Sequence, residues 1–276
     1  MTQFYRGMDQ AALRAAYDNV AAVADVAERM LGFQARSAAL YAAVPCRRDL
    51  AYGPRPRQRF DWFPCGRPDA PIFVFIHGGY WQSRSKEDFA FVAGGPLGCG
   101  FNVVLVEYTL APEASMTQIV GEIDALLAAL AADRDGLGTR GPVCLAGHSA
   151  GGQLSALYRT HESVVHAMPI SALVDLEPIA MSWLNEKLQL TQAEISAYSP
   201  MRHIGKGVPM TVSVGTAELP ELVRHSEEYV AACRQAGEQV EFVPLAGCNH
   251  FTILEDLARA DGVQMEAVGR GMRRRK

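Results

Sequence analysis

Gly147-His148-Ser149-Ala150-Gly151 is the stretch that decides the fold. It fits G-x-S-x-G and lies between a strand-like run at 142–146 and a helix-like run at 152–160. A serine between small residues on a sharp strand-to-helix turn has its hydroxyl pushed out above the edge of a sheet. The backbone of such a turn tolerates no bulk at the flanking positions, hence the glycines. The same turn brings backbone N–H groups to a helix N-terminus, where developing negative charge is stabilised. The context therefore predicts a nucleophile at Ser149, rather than a glycine-rich loop with an ordinary serine.

A second motif lies upstream. The apolar run Ile72–Ile76 reads as a fully buried strand and stops at His77-Gly78-Gly79-Tyr80-Trp81. Attack by Ser149 on a carbonyl creates an oxyanion, which needs preorganised donors. Glycines let the backbone of such a loop close in, so Gly78, Gly79 and Tyr80 are candidate donors on one side and Ala150 on the other. Alone, H-G-G is a weak signal; paired with G-x-S-x-G it is a strong one.

Together these motifs resemble the arylformamidase (kynurenine formamidase) group of the hormone-sensitive-lipase-like esterases, within the α/β-hydrolase superfamily. The resemblance continues at Glu107-Tyr108-Thr109-Leu110-Ala111-Pro112, at Gly215-Thr216-Ala217-Glu218-Leu219-Pro220-Glu221-Leu222 and at Asn249-His250-Phe251. It covers about residues 50–260. It implies an α/β-hydrolase fold and hydrolysis of N-formyl-kynurenine or a related aryl formamide. Similar chains act on other small esters, so a carboxylesterase with the same machinery is the alternative. A non-catalytic binding protein is a remote third reading, because Ser149, His250 and the glycines all remain.

In that superfamily the chain order is nucleophile, acid, histidine. Of seven histidines, only His225 and His250 follow a plausible acid after the strand candidate 210–214. His225 falls inside the helix candidate 222–236 and reads as a surface or groove residue. His250 follows the strand candidate 239–243 in a loop and is taken as the base. Glu218 aligns with the family's acid, which is often aspartate, so its longer side chain requires a small shift of the loop. Glu221 is the competitor and could instead flank the helix. Glu107, Asp175 and Glu177 precede the late strand and read as structural. Tyr80, Trp81 and Trp183 are candidates to line an aromatic-accepting pocket, core packing being the other reading for Trp183.

Composition fits one α/β domain over residues 1–276, with a cap segment of N-terminal helices over about 1–45 and a basic tail over about 265–276. The cap's helical periodicity runs through Leu13, Val20, Val23 and Val26. The net charge of −4 and pI near 6.0 give no reason to expect nucleic acid as a partner. Arg273-Arg274-Arg275-Lys276 reads as a solvated terminus. Residues 1–10 lack a basic region followed by an apolar one, and no apolar stretch approaches a membrane span of ~20 residues. The expectation is a cytoplasmic protein with a small-molecule substrate, a homodimer being left open. The six cysteines are scattered without C-x-x-C spacing and read as free thiols. His161 and His166 are five apart rather than four, so they cannot share a helical face as a zinc pair would. No metal or organic cofactor is expected.

Elsewhere, strand candidates at 60–63, 72–76, 103–108, 143–146 and 165–170 alternate with helix candidates at 116–132, 152–160, 222–236 and 253–260. That alternation predicts a mostly parallel sheet with helices on both faces.

Overall fold

Ile72–Ile76, Asn102–Val106 and Val143–His148 are buried at every position, as continuous apolar runs must be in a sheet covered on both faces. In the computed structural model, which describes residues 5–205 and 207–273, they form the centre of an eight-stranded sheet. Its strands are β1 (Arg47–Ala51), β2 (Arg59–Phe63), β3 (Ile72–Ile76), β4 (Asn102–Val106), β5 (Val143–His148), β6 (Val164–Ile170), β7 (Met210–Gly215) and β8 (Val240–Leu245). Their order is β1-β2-β4-β3-β5-β6-β7-β8, parallel except for β1 and β2.

Alternate side chains of each central strand feed two separate cores. Ile72, Val74, Ile76, Val104 and Val106 pack with helix Met116–Ala132 through Ile119, Ile123, Leu126, Leu127 and Leu130. Phe73, Phe75, Val103 and Leu105 pack on the other face with Phe89, Leu254, Leu257 and Val268. Ser115 and Gln118 close a capping box at the start of Met116–Ala132, a device that stabilises a helix by ~1 kcal/mol. Gly237, at φ 79°, follows the C-cap of helix Pro220–Gln235.

The fold departs from expectation in three places. Strand β1, RRDLA, was not foreseen, because it is an edge strand whose polar residues face water and leave no apolar period. The stretch read as a tail from about 265 instead begins within helix Val263–Arg273, which buries Gln264, Met265, Ala267 and Val268. Gly269 and Gly271 mask its helical pattern, and residues 274–276 of the basic run lie outside the described residues, as do residues 1–4. At the N-terminus, Leu13 is buried but Val20 is 49% exposed, because the chain turns between helices Gln10–Ala16 and Val26–Ala43. The second of these helices packs Phe33 against Phe91, with centroids 4.4 Å apart. It is the first helix and the turn behind it that reach the site. Among the described residues no helix is long and apolar enough to cross a membrane.

Candidate active site

Ser149 sits where β5 ends and helix Ala150–Leu157 begins, with φ 57° and ψ −114°. A non-glycine residue held there stores on the order of 1–3 kcal/mol of backbone strain, which the surroundings must impose. They do so by close approach. A Cβ on Gly151 would lie 2.1 Å from the Ile76 carbonyl oxygen, and one on Gly147 would lie 2.1 Å from the Gly151 carbonyl oxygen. The Ser149 N–H donates to the Ile170 carbonyl at 2.8 Å, fixing the turn against β6.

The loop after β3 lies against this turn: a Cβ on Gly78 would sit 3.1 Å from both the Ser149 Cβ and the His148 carbonyl oxygen. Gly79, Tyr80 and Trp81 all have positive φ, at 111°, 54° and 57°. This conformation leaves the N–H groups of Gly79 and Tyr80, like that of Ala150, without a protein acceptor among the described residues. His77 itself does not serve as a donor to the turn. Its ring stacks on Tyr108 at 4.6 Å, and its Nε2 lies 3.2 Å from Glu107 Oε1. The Glu107 carboxylate also accepts from the N–H groups of Lys86 and Tyr108 and from Arg57, so it ties β4 to the loop from behind.

Glu218 and His250 meet beyond the C-terminal ends of β7 and β8, at the same end of the sheet as Ser149. A Cβ on Gly215, the last residue of β7, would lie 2.1 Å from the Cys248 carbonyl oxygen, so this glycine lets the two loops touch. The His250 Nδ1–H donates to Glu218 Oε2 at 2.7 Å. The other carboxylate oxygen accepts from Ser171 Oγ at 2.5 Å and from the Gly215 N–H at 2.8 Å. Asn249 Oδ1 accepts from the N–H groups of Phe251 and Thr252, a local turn that sets the orientation of His250. His148 donates from Nε2 to the His250 carbonyl at 2.9 Å, with its ring 4.5 Å from that of His250. Burial first, and then electrostatic repulsion by the neighbouring His250 ring, keep the His148 imidazole well below its usual pKa, so it stays neutral. Since His148 adjoins Ser149 in the chain, His250 and the Ser149 turn are neighbours.

Glu221 is engaged elsewhere, with Arg224 at 2.6 Å and the Tyr17 hydroxyl at 3.2 Å. His225 is not on the surface or in a groove but fully buried, with its Nε2 2.9 Å from the Tyr17 hydroxyl. Of the aromatic residues, Tyr80 is partly buried and its hydroxyl donates to the Tyr17 carbonyl while accepting from Asn19 Nδ2 at 2.6 Å. Trp81 is fully buried within the apolar core, its indole N–H on Gln153 at 3.2 Å, and it supports the loop rather than walling a cleft. Trp183 is half-buried beneath the Arg14 guanidinium, 5.1 Å from the ring centre. Sequence reasoning missed Ser171, Tyr17 and Asn19. Their partners lie 47, 208 and 61 residues away in the chain, and no local pattern marks them.

A doubly covered parallel sheet with a strained serine at the end of its central strand defines an α/β-hydrolase, and the α/β-hydrolase fold family matches residues 73–200. Kynurenine formamidase of Danio rerio is 30% identical over 225 residues, 76% of each chain, and that of Drosophila melanogaster is 25% identical over 70% of each. A solved structure from Silicibacter sp., provisionally described as a thioesterase, superposes with TM-score 0.85 at 29% identity, covering 93% of this chain and 98% of that one. An esterase from Pyrobaculum calidifontis shares the fold, with TM-score 0.70 at 22% identity over 90% and 92% of the two chains. The chain belongs to the kynurenine formamidase family of α/β-hydrolases, and it is a hydrolase.

Proposed function

We propose that the protein is a serine hydrolase that cleaves a small aryl formamide of the N-formyl-kynurenine type. Ser149 attacks the formyl carbonyl as His250 takes its proton. Glu218 holds the imidazole in the tautomer that leaves Nε2 free to act as base and then stabilises the imidazolium. The oxyanion is received by the N–H groups of Gly79, Tyr80 and Ala150. His250 returns the proton to the departing aryl amine, and water releases formate from the acyl-enzyme. The scheme uses no metal or organic cofactor.

The observation that carries the serine mechanism is the buried His250–Glu218 pair, 2.7 Å long, backed onto the strained Ser149 turn. The substrate class is drawn from the formamidase relatives, which align along 70–76% of this chain. A second reading, hydrolysis of small esters or thioesters by the same groups, draws on the Silicibacter neighbour. Six free thiols accord with a cytoplasmic setting.

Three substrates measured side by side separate the readings. A formyl group is the smallest acyl group, so a formamidase can keep its acyl pocket tight. The kcat/KM for N-formyl-kynurenine is expected to exceed that for short p-nitrophenyl esters and to fall steeply when acetyl replaces formyl. Turnover of p-nitrophenyl acetate alone decides nothing, because one methylene in an apolar pocket is worth only ~1–3 kcal/mol. Efficient ester cleavage with no detectable formamide hydrolysis would establish the ester reading instead.

A further inference from the structure

His148, the residue before the serine in G-x-S-x-G, is also the last residue of β5, so its backbone is placed by the sheet rather than by a loop. It is 3% exposed, and it touches each part that the proposed reaction uses. The next residue in the chain is Ser149. On one side its ring meets the loop after β3, where a Cβ on Gly78 would lie 3.1 Å from Nδ1. On another the ring lies 4.5 Å from that of His250, tilted by 42°, with Nε2 2.9 Å from the His250 carbonyl oxygen.

A carbonyl oxygen only accepts, so the one proton of this neutral ring is on Nε2 and Nδ1 is a bare lone pair. That nitrogen is buried beside the glycine loop with no hydrogen-bond partner among the described residues. A buried acceptor left unpaired lowers stability, and an aliphatic side chain would fill the same space without that penalty. What only a donor can supply is the bond to the His250 carbonyl, which receives no other donor among the described residues. The imidazole is therefore explained by the residue it holds and not by packing.

We propose that His148 is a positioning residue for His250: its Nε2–H holds the backbone of the base, and its ring sets the spacing between the base and the Gly78 loop. Glu218 fixes the His250 ring through Nδ1, and His148 fixes the main chain that carries the ring, so the imidazole is held from both ends. Burial keeps His148 neutral, so no second cation faces the charge that His250 gains on taking the Ser149 proton. The inference rests on the reading of His250 as base and deepens it, because it names what keeps the base in register with the nucleophile.

The test compares His148→Gln, whose amide nitrogen reaches the place of Nε2, with His148→Leu, which fills the space without a donor. Turnover of p-nitrophenyl acetate and the rate at which a fluorophosphonate labels Ser149 serve as readouts that do not depend on the natural substrate. His148→Leu is expected to lower kcat and the labelling rate by about 10–100-fold, with KM changed by less than about 2-fold. His148→Gln should restore both rates to within about 5-fold of the wild type. Both variants should melt within about 3 °C of the wild type, since leucine removes one unpaired buried atom and creates another. Rates that stay at the wild-type level in His148→Leu, that fall equally in both variants, or that follow Tm rather than the donor would overturn the positioning role. His250→Ala distinguishes this from failure of the underlying reading. Wild-type rates in His250→Ala overturn the base assignment and the role of His148 with it, whereas an inactive His250→Ala beside a fully active His148→Leu overturns the role of His148 alone. Should neither His148 variant fold, nitrogen-15 spectra of the wild type decide. A His148 ring protonated on Nε2 alone at pH 7, with that proton protected from exchange, supports the proposal, and a ring protonated on Nδ1 overturns it.

Discussion

Glu218 and His250 form a shielded pair: 2.7 Å separates Oε2 from Nδ1, and both side chains are at most 5% exposed. The second oxygen of Glu218 is tied to Ser171 and Gly215, so the carboxylate cannot rotate away from the imidazole. Glu218→Gln is therefore expected to lower kcat by about 10²–10⁴-fold, since the amide no longer enforces the productive tautomer. Glu221→Gln should leave kcat within a few-fold. It should lower Tm by about 2–4 °C, the cost of ~1 kcal/mol from weakened bonds to Arg224 and Tyr17. Steady-state rates and thermal melts of the two variants check this, and the reverse ranking in kcat would move the acid to Glu221.

Two glycines near Ser149 should behave differently. A methyl on Gly78 meets Ser149 Cβ and His148 at 3.1 Å, a crowding that a few tenths of an ångström relieves. Gly78→Ala is expected to fold and to lose about 10–100-fold in kcat, because the donors beside Ser149 shift. A methyl on Gly151 meets the Ile76 carbonyl oxygen at 2.1 Å, which no small shift of β3 accommodates. Gly151→Ala should lose soluble expression or several degrees in Tm. Circular dichroism melts beside kcat measurements distinguish the two, and a fully active Gly151→Ala would refute this account of the turn.

The hold of the N-terminal segment on the site can be tested at one hydroxyl. Tyr80→Phe keeps the ring but removes the group that meets Tyr17 and Asn19. With its clasp gone, the loop is less well preorganised, and kcat should fall about 10-fold with little change in KM. Unchanged kcat would show that the N-terminal segment only covers the site.

Acid should destabilise the fold through buried histidine. Burial, reinforced by Arg224, lowers the His225 pKa from 6.5 to about 3. Between those values the unfolded chain binds a proton that the folded chain refuses. Stability therefore falls with decreasing pH by up to ~1.4 kcal/mol per pH unit, and this histidine has no influence above about pH 7. Melts from pH 8 to pH 4 should be flat at the upper end and fall below about pH 6.5. His225→Gln should shallow that fall, and an identical slope in the variant would remove His225 as a cause.

The parts of the fold that were legible in the sequence are those where local pattern and burial coincide. Helix Met116–Ala132 was readable from its stripe of Ile119, Ile123 and Leu126, and strand β3 from its unbroken apolar run. Strand β1 and helix Val263–Arg273 were not, one because an edge strand of charged residues has no apolar face, the other because glycines and arginines interrupt it. At the site, Ser149 and the loop glycines announce themselves through backbone requirements that only small residues meet. Glu218 and Glu221 are separable only by their partners. Ser171 and Asn19 act through distant contacts that the sequence does not display, and Trp81 looked like a pocket residue because motif position says nothing about burial.

The central claim is that Ser149 is the nucleophile, and covalent labelling tests it most directly. A fluorophosphonate probe, followed by intact-mass measurement and peptide mapping, should place a single adduct on Ser149 of the wild type and none on Ser149→Ala. That variant should melt like the wild type and lose about 10⁴–10⁶-fold in kcat, as expected if Ser149, His250 and Glu218 act as one unit. An adduct on another serine, or substantial activity in Ser149→Ala, would contradict the account.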